Sequence, residues 1–300
     1  MTSWTASGGK AMEQLVQQIL SGLATGAVYA SLALALVMIY QATESVNFAQ
    51  GEMAMFSTYI AWSLVQAGLP FWLAFLLTVA VSFLGGVLIE RILIRPVEAA
   101  PVLSQVIVFI GLLVIFNSTA GWIFTYTVQE FPSPFGDVPL LGDMITSSEL
   151  GVIGVTLVVL TLLYVFFRFT PLGFAMRAAA QNPGSARLVG IRVGWMLALG
   201  WGLAAAVGAV AGIMVAPVLF LDPNMMSGVL LYAFAGALLG GISSPGGAVV
   251  GGLIVGVLEN LVGTYLIPTE LKLTVALAVI IIILVVRPSG LFGTVMVKRV

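Results

Sequence analysis

The sequence predicts an all-α fold, a polytopic transmembrane helical bundle of about 8–10 membrane segments with short or broken helices. Three observations predict it. Sixty per cent of the 300 residues are of the AVILMFWYC set, against ~45–50% for soluble chains even when Gly is counted. Charged residues are 8%, against ~25%. Apolar runs of roughly membrane-spanning length recur along the chain. A soluble fold cannot cover its surface with so few charges. In hydrocarbon the shortage is a requirement, because an ionised group at the bilayer centre costs at least ~2.5–3.5 kcal/mol.

The runs are Leu15–Tyr40, Met53–Val65, Phe71–Ile94, Leu103–Tyr126, Leu150–Phe169, Trp195–Leu219, Met225–Gly240, Ala248–Val262 and Leu273–Val286. Met53–Val65, Met225–Gly240 and Ala248–Val262 are short, and any of them is a candidate half-helix. Residues 1–14 read as a polar leader and 15–300 as one transmembrane domain. A cleaved signal peptide is not expected, since the first run exceeds an h-region of ~7–15 residues.

Orientation follows the basic residues. Arg91 and Arg95 end the third run; Arg168, Arg177, Arg187 and Arg192 surround the stretch after the fifth; Arg287, Lys298 and Arg299 follow the last. Even numbers of crossings separate the three clusters, so all three are placed in the cytoplasm. Glu130, Asp137, Asp143, Glu149 and Asp222 fall in the complementary loops. Nine crossings put the N-terminus outside and the C-terminus inside. The six tryptophans, Trp201 included, are read as interfacial anchors.

The chain has no Cys and no His, which removes thiol chemistry, the commonest metal ligands and the usual proton shuttle. A Ser/His intramembrane protease is impossible. An aspartyl dyad needs two membrane-embedded Asp, yet Asp137, Asp143 and Asp222 lie in loops. No metal site, catalytic residue or Gly-x-x-x-x-Gly-Lys-Ser/Thr phosphate loop is present. An enzyme is not expected.

Glycine is abundant at 34 residues. Gly22, Gly26 and Ala30 form a small-residue stripe, as do Gly208, Gly212 and Ala216, while Gly247 and Gly251 begin one. Such stripes predict close helix packing in lipid.

Three polar interruptions remain. Gln41-Ala-Thr-Glu-Ser-Val-Asn-Phe-Ala-Gln-Gly-Glu52 puts Asn47, Gln50 and Glu52 between apolar runs. They read equally as a solvated turn or as the lining of a pathway, where non-helical backbone is tolerated at membrane depth. Gly240-Gly-Ile-Ser-Ser-Pro-Gly-Gly247 reads as a tight interhelical turn in preference to a discontinuous helix. The third, Arg168 to Ile191, is the longest cytoplasmic segment. Pro171 suits a helix start, Met176–Gln181 is strongly helix-forming, and Asn182-Pro183 forces a turn. Ser185 begins a second short helix with Leu188 and Ile191 on its apolar side. Such an Ala/Gly-rich loop suits a groove on a partner, with a membrane-surface helix as the competing reading.

These motifs together resemble the permease subunits of ATP-binding-cassette importers for branched-chain amino acids. Asn47-Phe-Ala-Gln-Gly-Glu52 is similar to that family's Asn-Phe-Ala-His-Gly-Glu signature, with Gln50 in place of His. Glu90-Arg91 with Arg95-Pro96-Val97 resembles its Glu-Arg-x-x-x-Arg-Pro element. Leu239-Gly-Gly-Ile-x-Ser244, Gly251-Gly-Leu-Ile-x-Gly256 with Glu259, and Pro288-Ser-Gly-Leu-Phe-Gly293 also match. The resemblance implies that the loop at about 169–194 docks on an ATPase, through Pro171, Leu172, Gly173, Arg177, Ala178, Gln181, Asn182, Ala186, Gly190 and Ile191. Gly184 stands where many relatives carry an acid. It further implies a second homologous permease, two ATP-binding cassette subunits and an extracytoplasmic substrate-binding protein. No cofactor is expected on this chain, with ATP and Mg held by the partner ATPases, and the location is the bacterial inner membrane.

Asn47, Gln50, Glu52 and Glu259 are the candidates for the translocation path. For Glu259, a carboxylate reaching interfacial water competes with a pathway role. Hydrophobic amino acids are the favoured solute, with urea or short-chain amides as the alternative. An ion-coupled secondary transporter is the rival mechanism, disfavoured by the scarcity of embedded ionisable groups.

Overall fold

A computed structural model describes residues 3–43, 45–98, 100–140, 144–268 and 271–293. Glu44, Asp143, Lys298 and Arg299 lie outside them, so the sequence expectations at those four positions do not meet the structure. Each apolar run becomes a helix. They are α1 (Ser3–Thr43), α2 (Gln50–Gln66), α3 (Phe71–Ile89), α4 (Val102–Phe124), α5 (Ser147–Phe169), α8 (Val193–Leu219), α9 (Met226–Gly240), α10 (Pro245–Tyr265) and α11 (Lys272–Val286). Between α5 and α8 lie two shorter helices, α6 (Pro171–Gln181) and α7 (Pro183–Leu188). Residues 3–14 of the leader are helical and continuous with α1, which runs for 41 residues.

Six of these helices are long and apolar enough to cross a membrane. The short ones differ partly from expectation. Ala248–Val262 belongs to the 21-residue α10, because Ser244 caps Gly247 N–H and Pro245 occupies the first turn, starting the helix three residues earlier. Lys272–Val286, not expected to be short, has only 15 residues, about 22 Å.

Neighbour contacts give the helix directions. Gly22 abuts Val257 while Gly26 abuts Leu253, so α1 and α10 are antiparallel. Gly86 meets Trp201 and Arg95 covers Gly194, making α3 and α8 antiparallel. Gln50 meets Gly208 and Thr58 meets Gly212, so α2 and α8 are parallel. Gly240 against Gly247 makes α9 and α10 a hairpin. Every one of these relations fits nine alternating crossings.

The outcome is two chemically distinct ends. At one, α1 closes on the α9–α10 turn through Gln41 Nε2 donating to the Ser243 carbonyl at 2.9 Å. Ser45 donates to Gln105 of α4 at 2.7 Å. Arg91, Arg95, Arg168, Arg177, Arg187, Arg192 and Arg287 all belong to this end, by the helix termini that carry them. At the other end Trp62 donates to the Glu130 carbonyl at 3.2 Å, and Gln129 pairs with Leu221 as an antiparallel bridge. That end holds Glu130, Asp137, Glu149 and Asp222. The positive-inside rule expects the basic end on the cytoplasmic side. Glu149 is more than a loop charge: with Thr146 it forms a capping box, each backbone N–H bonded by the other's side chain, which starts α5.

The core is built from α1, α2, α8 and α9, with α3, α4, α5 and α11 presenting apolar side chains outward, among them Leu76, Ile107, Leu157 and Ile281. That outward greasiness is what a lipid-facing ring requires. Small residues let helices touch backbone to backbone: the Gly22, Gly26 and Ala30 stripe of α1 meets Gly256 and Gly252 of α10, while Gly247 and Gly251, where another stripe was expected to begin, face Gly240 and Gly236 of α9. Trp201 corrects the tryptophan reading. It is 0% exposed, stacked on Phe109 at 5.9 Å, because it lies eight residues inside α8 where that helix is covered on all sides.

Candidate functional site

The first polar interruption is not a solvated turn. Ser45, Asn47, Gln50 and Glu52 are all buried. Asn47 Oδ1 accepts the Ala49 N–H at 3.0 Å, holding the backbone as it turns into α2. Gln50 Nε2 donates to the Ala204 carbonyl of α8 at 3.0 Å, over Gly208, whose missing side chain makes the room. Ala204 lies 11 residues into a 27-residue helix, so α2 begins well below the cytoplasmic surface. Gln50 needs no charge to do this; a neutral donor satisfies a carbonyl inside the bundle.

Glu52, two residues on, turns the other way. Its Oε2 accepts from Asn117 Nδ2 of α4 at 3.4 Å. The same amide donates to the Pro223 carbonyl at 2.8 Å and to Asn224 Oδ1 at 3.1 Å. Asp222 Oδ1 accepts the Asn224 N–H at 2.6 Å. The loop between α8 and α9 therefore folds back onto α2 and α4, turning at Phe220, whose φ of 63° is unusual for a side chain of that size. Glu52 and Asn117 link the membrane interior to the acidic end.

Glu259 does not join that group. It is half-buried between α1, α9 and α10, where Tyr29 donates to its Oε2 at 2.6 Å. Tyr232 stacks on Tyr29 at 5.1 Å. A hydroxyl donor gives the carboxylate the partner it needs so close to lipid, and ties α1 to α10.

The cytoplasmic loop forms the two helices expected of it, with one shift: α7 starts at Pro183, because Asn182 Oδ1 caps the Ser185 N–H at 2.9 Å. The ten candidate docking residues divide. Pro171, Leu172, Gln181, Asn182 and Gly190 are exposed; Arg177, Ala178 and Ile191 are half-buried; Gly173 and Ala186 are buried. Gly173 packs on Phe166 and Phe167 of α5, where any β-carbon would overlap backbone. It seats α6 within this chain, and Ala186 seats α7 beside Ala179, Val193 and Leu197. Leu188, expected on the apolar side of this helix, faces outward. It is 90% exposed with Val189 beside it, and Ala186 takes the inward position. Phe174, also exposed, was missed. So were Asn117 and Asn224, although a lone Asn in the fourth apolar run is a visible signal.

Beside the loop, Arg91 lies over the Trp195 ring at 3.7 Å and pairs with the buried Glu90 at 3.8 Å, joining the end of α3 to the start of α8. The Glu-Arg-x-x-x-Arg-Pro element thus packs on the start of α8, through Arg91 on Trp195 and Arg95 over Gly194. Glu90–Ile94 is wound as a π-helical turn, which brings Arg91 and Arg95 to the α8 side.

Residues 18–284 match the model of the branched-chain amino acid transport system / permease component family. The high-affinity branched-chain amino acid transport system permease protein LivH of Salmonella typhimurium is 31% identical over 301 residues, 95% of this chain and 97% of that one. LivH of Escherichia coli is likewise 31% identical, over 305 residues with the same shares. BraD of Pseudomonas aeruginosa is 30% identical over 301 residues, 95% and 98%. A multi-pass helical membrane protein matched along almost its whole length, this chain belongs to the branched-chain amino acid transport system permease family.

Proposed function

We propose that the chain is the translocating subunit of an ATP-driven importer for branched-chain and other hydrophobic amino acids. It works with a second permease, two ATP-binding subunits and an external substrate-binding protein. The family match carries this reading. The surface at the basic end supports it: Leu172, Phe174, Leu188 and Val189 stand exposed among Arg177, Arg187 and Arg192, an apolar patch outside the membrane-spanning helices. Such a patch is suited to a partner's groove. Movement of that partner would pass through α6 to α5, via Gly173 on Phe166 and Phe167, and to α8 through Ala186 on the same small core as Val193 and Leu197.

Asn47, Gln50 and Glu52 are proposed to border the path, because they are polar groups set where α2 starts inside the bundle. Glu259 is assigned to holding α1 and α10 together, since its Tyr29 bond directs it into this chain.

The test is co-expression with a related importer's ATPase, second permease and binding protein, followed by ATP-dependent uptake of radiolabelled leucine into proteoliposomes. Uptake is expected to require ATP. A double Leu188→Asp, Val189→Asp variant should retain its fold yet lose the ATPase on purification. Uptake of leucine by this chain alone, without ATP, would refute the reading in favour of a secondary transporter; ATP-driven uptake of urea but not leucine would refute the substrate.

A further inference from the structure

The acidic end holds a group of polar side chains whose bonding is incomplete. Asn117 has an amide nitrogen with two hydrogens, and three acceptors surround it: the Pro223 carbonyl at 2.8 Å, Asn224 Oδ1 at 3.1 Å and Glu52 Oε2 at 3.4 Å. Two hydrogens cannot serve three acceptors well. Glu52, the most distant, is the one left under-bonded. Asp222 spends one oxygen on the Asn224 N–H at 2.6 Å. Among the described residues the one ion pair is Arg91 with Glu90, at the opposite end, so neither Glu52 nor Asp222 has a cation.

An independent observation points the same way. Tyr59 is 0% exposed and its hydroxyl has no hydrogen-bond partner. It lies seven residues after Glu52, on the same face of α2, its ring stacked on Phe124 of α4 at 4.4 Å. Phe124 lies seven residues after Asn117 on α4, so the Tyr59–Phe124 pair stands two turns outward of the Glu52–Asn117 pair along the same α2–α4 seam. A buried hydroxyl without a partner is rare in folded proteins and calls for one. Exposure is graded across the group: Asn224 is open, Asp222 half-buried and Glu52 5% exposed, which traces a way in from the acidic end.

We propose that Glu52, Asn117, Asp222 and Tyr59 form a site on the external side of the path that receives the ammonium group of an amino acid. The proposal rests on the importer reading above and adds to it the feature of the solute that this chain selects. Two carboxylates without a cation attract an ammonium. An ionised carboxylate at this depth is costly until a cation pairs with it, so the incoming group is bound where the protein is otherwise unfavourably charged. The Tyr59 hydroxyl supplies a further acceptor or donor once the solute arrives. Phe56 and Phe116, in contact edge to face at 5.4 Å between Glu52 and Tyr59, provide an apolar wall for a hydrocarbon side chain.

The absence of native cysteine permits a clean test. Ser227 is exposed, one turn beyond Asn224 at the start of α9. A Ser227→Cys reporter in the assembled permease–ATPase complex is labelled with a maleimide, and the rate is read on this chain's band. Leucine is expected to slow labelling, whereas 4-methylpentanoate, which is leucine without its amino group, is not. Glu52→Gln should raise the leucine concentration needed by roughly 30-fold or more, with Glu52→Asp in between and complex yield unchanged. Asp222→Asn, in the loop, repeats the measurement where folding is not at stake. Equal protection by both compounds, no protection by leucine, or protection that survives both Glu52→Gln and Asp222→Asn would overturn the site while ATP-driven leucine uptake by wild type still stands. A wild-type complex with no such uptake overturns the importer reading and the site together.

Discussion

Gly85 and Gly86 are neighbours in α3, and the structure separates them completely. A β-carbon at Gly85 would meet nothing within 4 Å, while one at Gly86 would stand 2.6 Å from the Trp201 carbonyl oxygen, 2.7 Å from Ala205 Cβ and 3.0 Å from Gly202 Cα. Ordinary contact begins near 3.4 Å, so α3 and α8 must part by about 0.8 Å (3.4 − 2.6) to accept Gly86→Ala. The obstructing atoms are largely backbone and cannot rotate aside. Both substitutions gain the same ~0.5–1 kcal/mol of helix preference over Gly, so that gain cancels in the comparison. What remains is the overpacking cost at Gly86, about 1–3 kcal/mol. At ~2–4 °C per kcal/mol, the two variants should melt several degrees apart, Gly85→Ala at or above wild type and Gly86→Ala below it. The assay is thermal unfolding in mild detergent followed by tryptophan fluorescence, to which the buried Trp201 beside Gly86 contributes directly. Equal melting temperatures would show that α3 does not touch α8 through this residue, and would refute the antiparallel α3–α8 packing on which the crossing order depends.

Other outcomes follow from single contacts. Tyr29→Phe removes the 2.6 Å donor to Glu259 and leaves the Tyr232 hydroxyl as the carboxylate's remaining donor; a loss of about 0.5–1.5 kcal/mol in detergent unfolding is expected, largely recovered when Glu259→Leu is added. If the double variant is as unstable as the sum of the singles, the Tyr29–Glu259 bond is not what ties α1 to α10. Thr146→Ala breaks the capping box of α5 and should cost about 0.5–2 kcal/mol, seen as faster hydrogen exchange confined to residues 147–150. Exchange unchanged there would contradict the cap. Gly173→Ala drives a side chain into the backbone of Phe166 and Phe167, and is expected to displace α6 and abolish ATPase co-purification without touching the partner itself. A variant that binds the ATPase normally would return Gly173 to the contact surface.

The composition of the chain determined its solvent, its class and its chemistry by exclusion. With 8% charge there is no soluble alternative, and without Cys or His there is little catalytic chemistry to weigh. The nine apolar runs became nine helices because burial in hydrocarbon leaves the backbone no better way to satisfy its own polar groups. The described arginines of the basic clusters gathered at one end because parity of crossing is a property of sequence order. The motifs from Asn47 to Gly293 named the family for the same reason, being local and in order. The depth of Glu52, the exposure of Leu188 and the burial of Trp201 and Gly173 were not legible. Each depends on which neighbour covers a helix face, and in a chain apolar on nearly every face hydrophobic periodicity no longer marks inside from outside. Sequence alone therefore determined that Glu52 and Glu259 are carboxylates next to the membrane interior. Only the tertiary structure decided that Glu259 is closed off by Tyr29 while Glu52 is left short of a partner, since that difference lies in side chains from α1 and α4, distant in sequence and adjacent only once the helices pack.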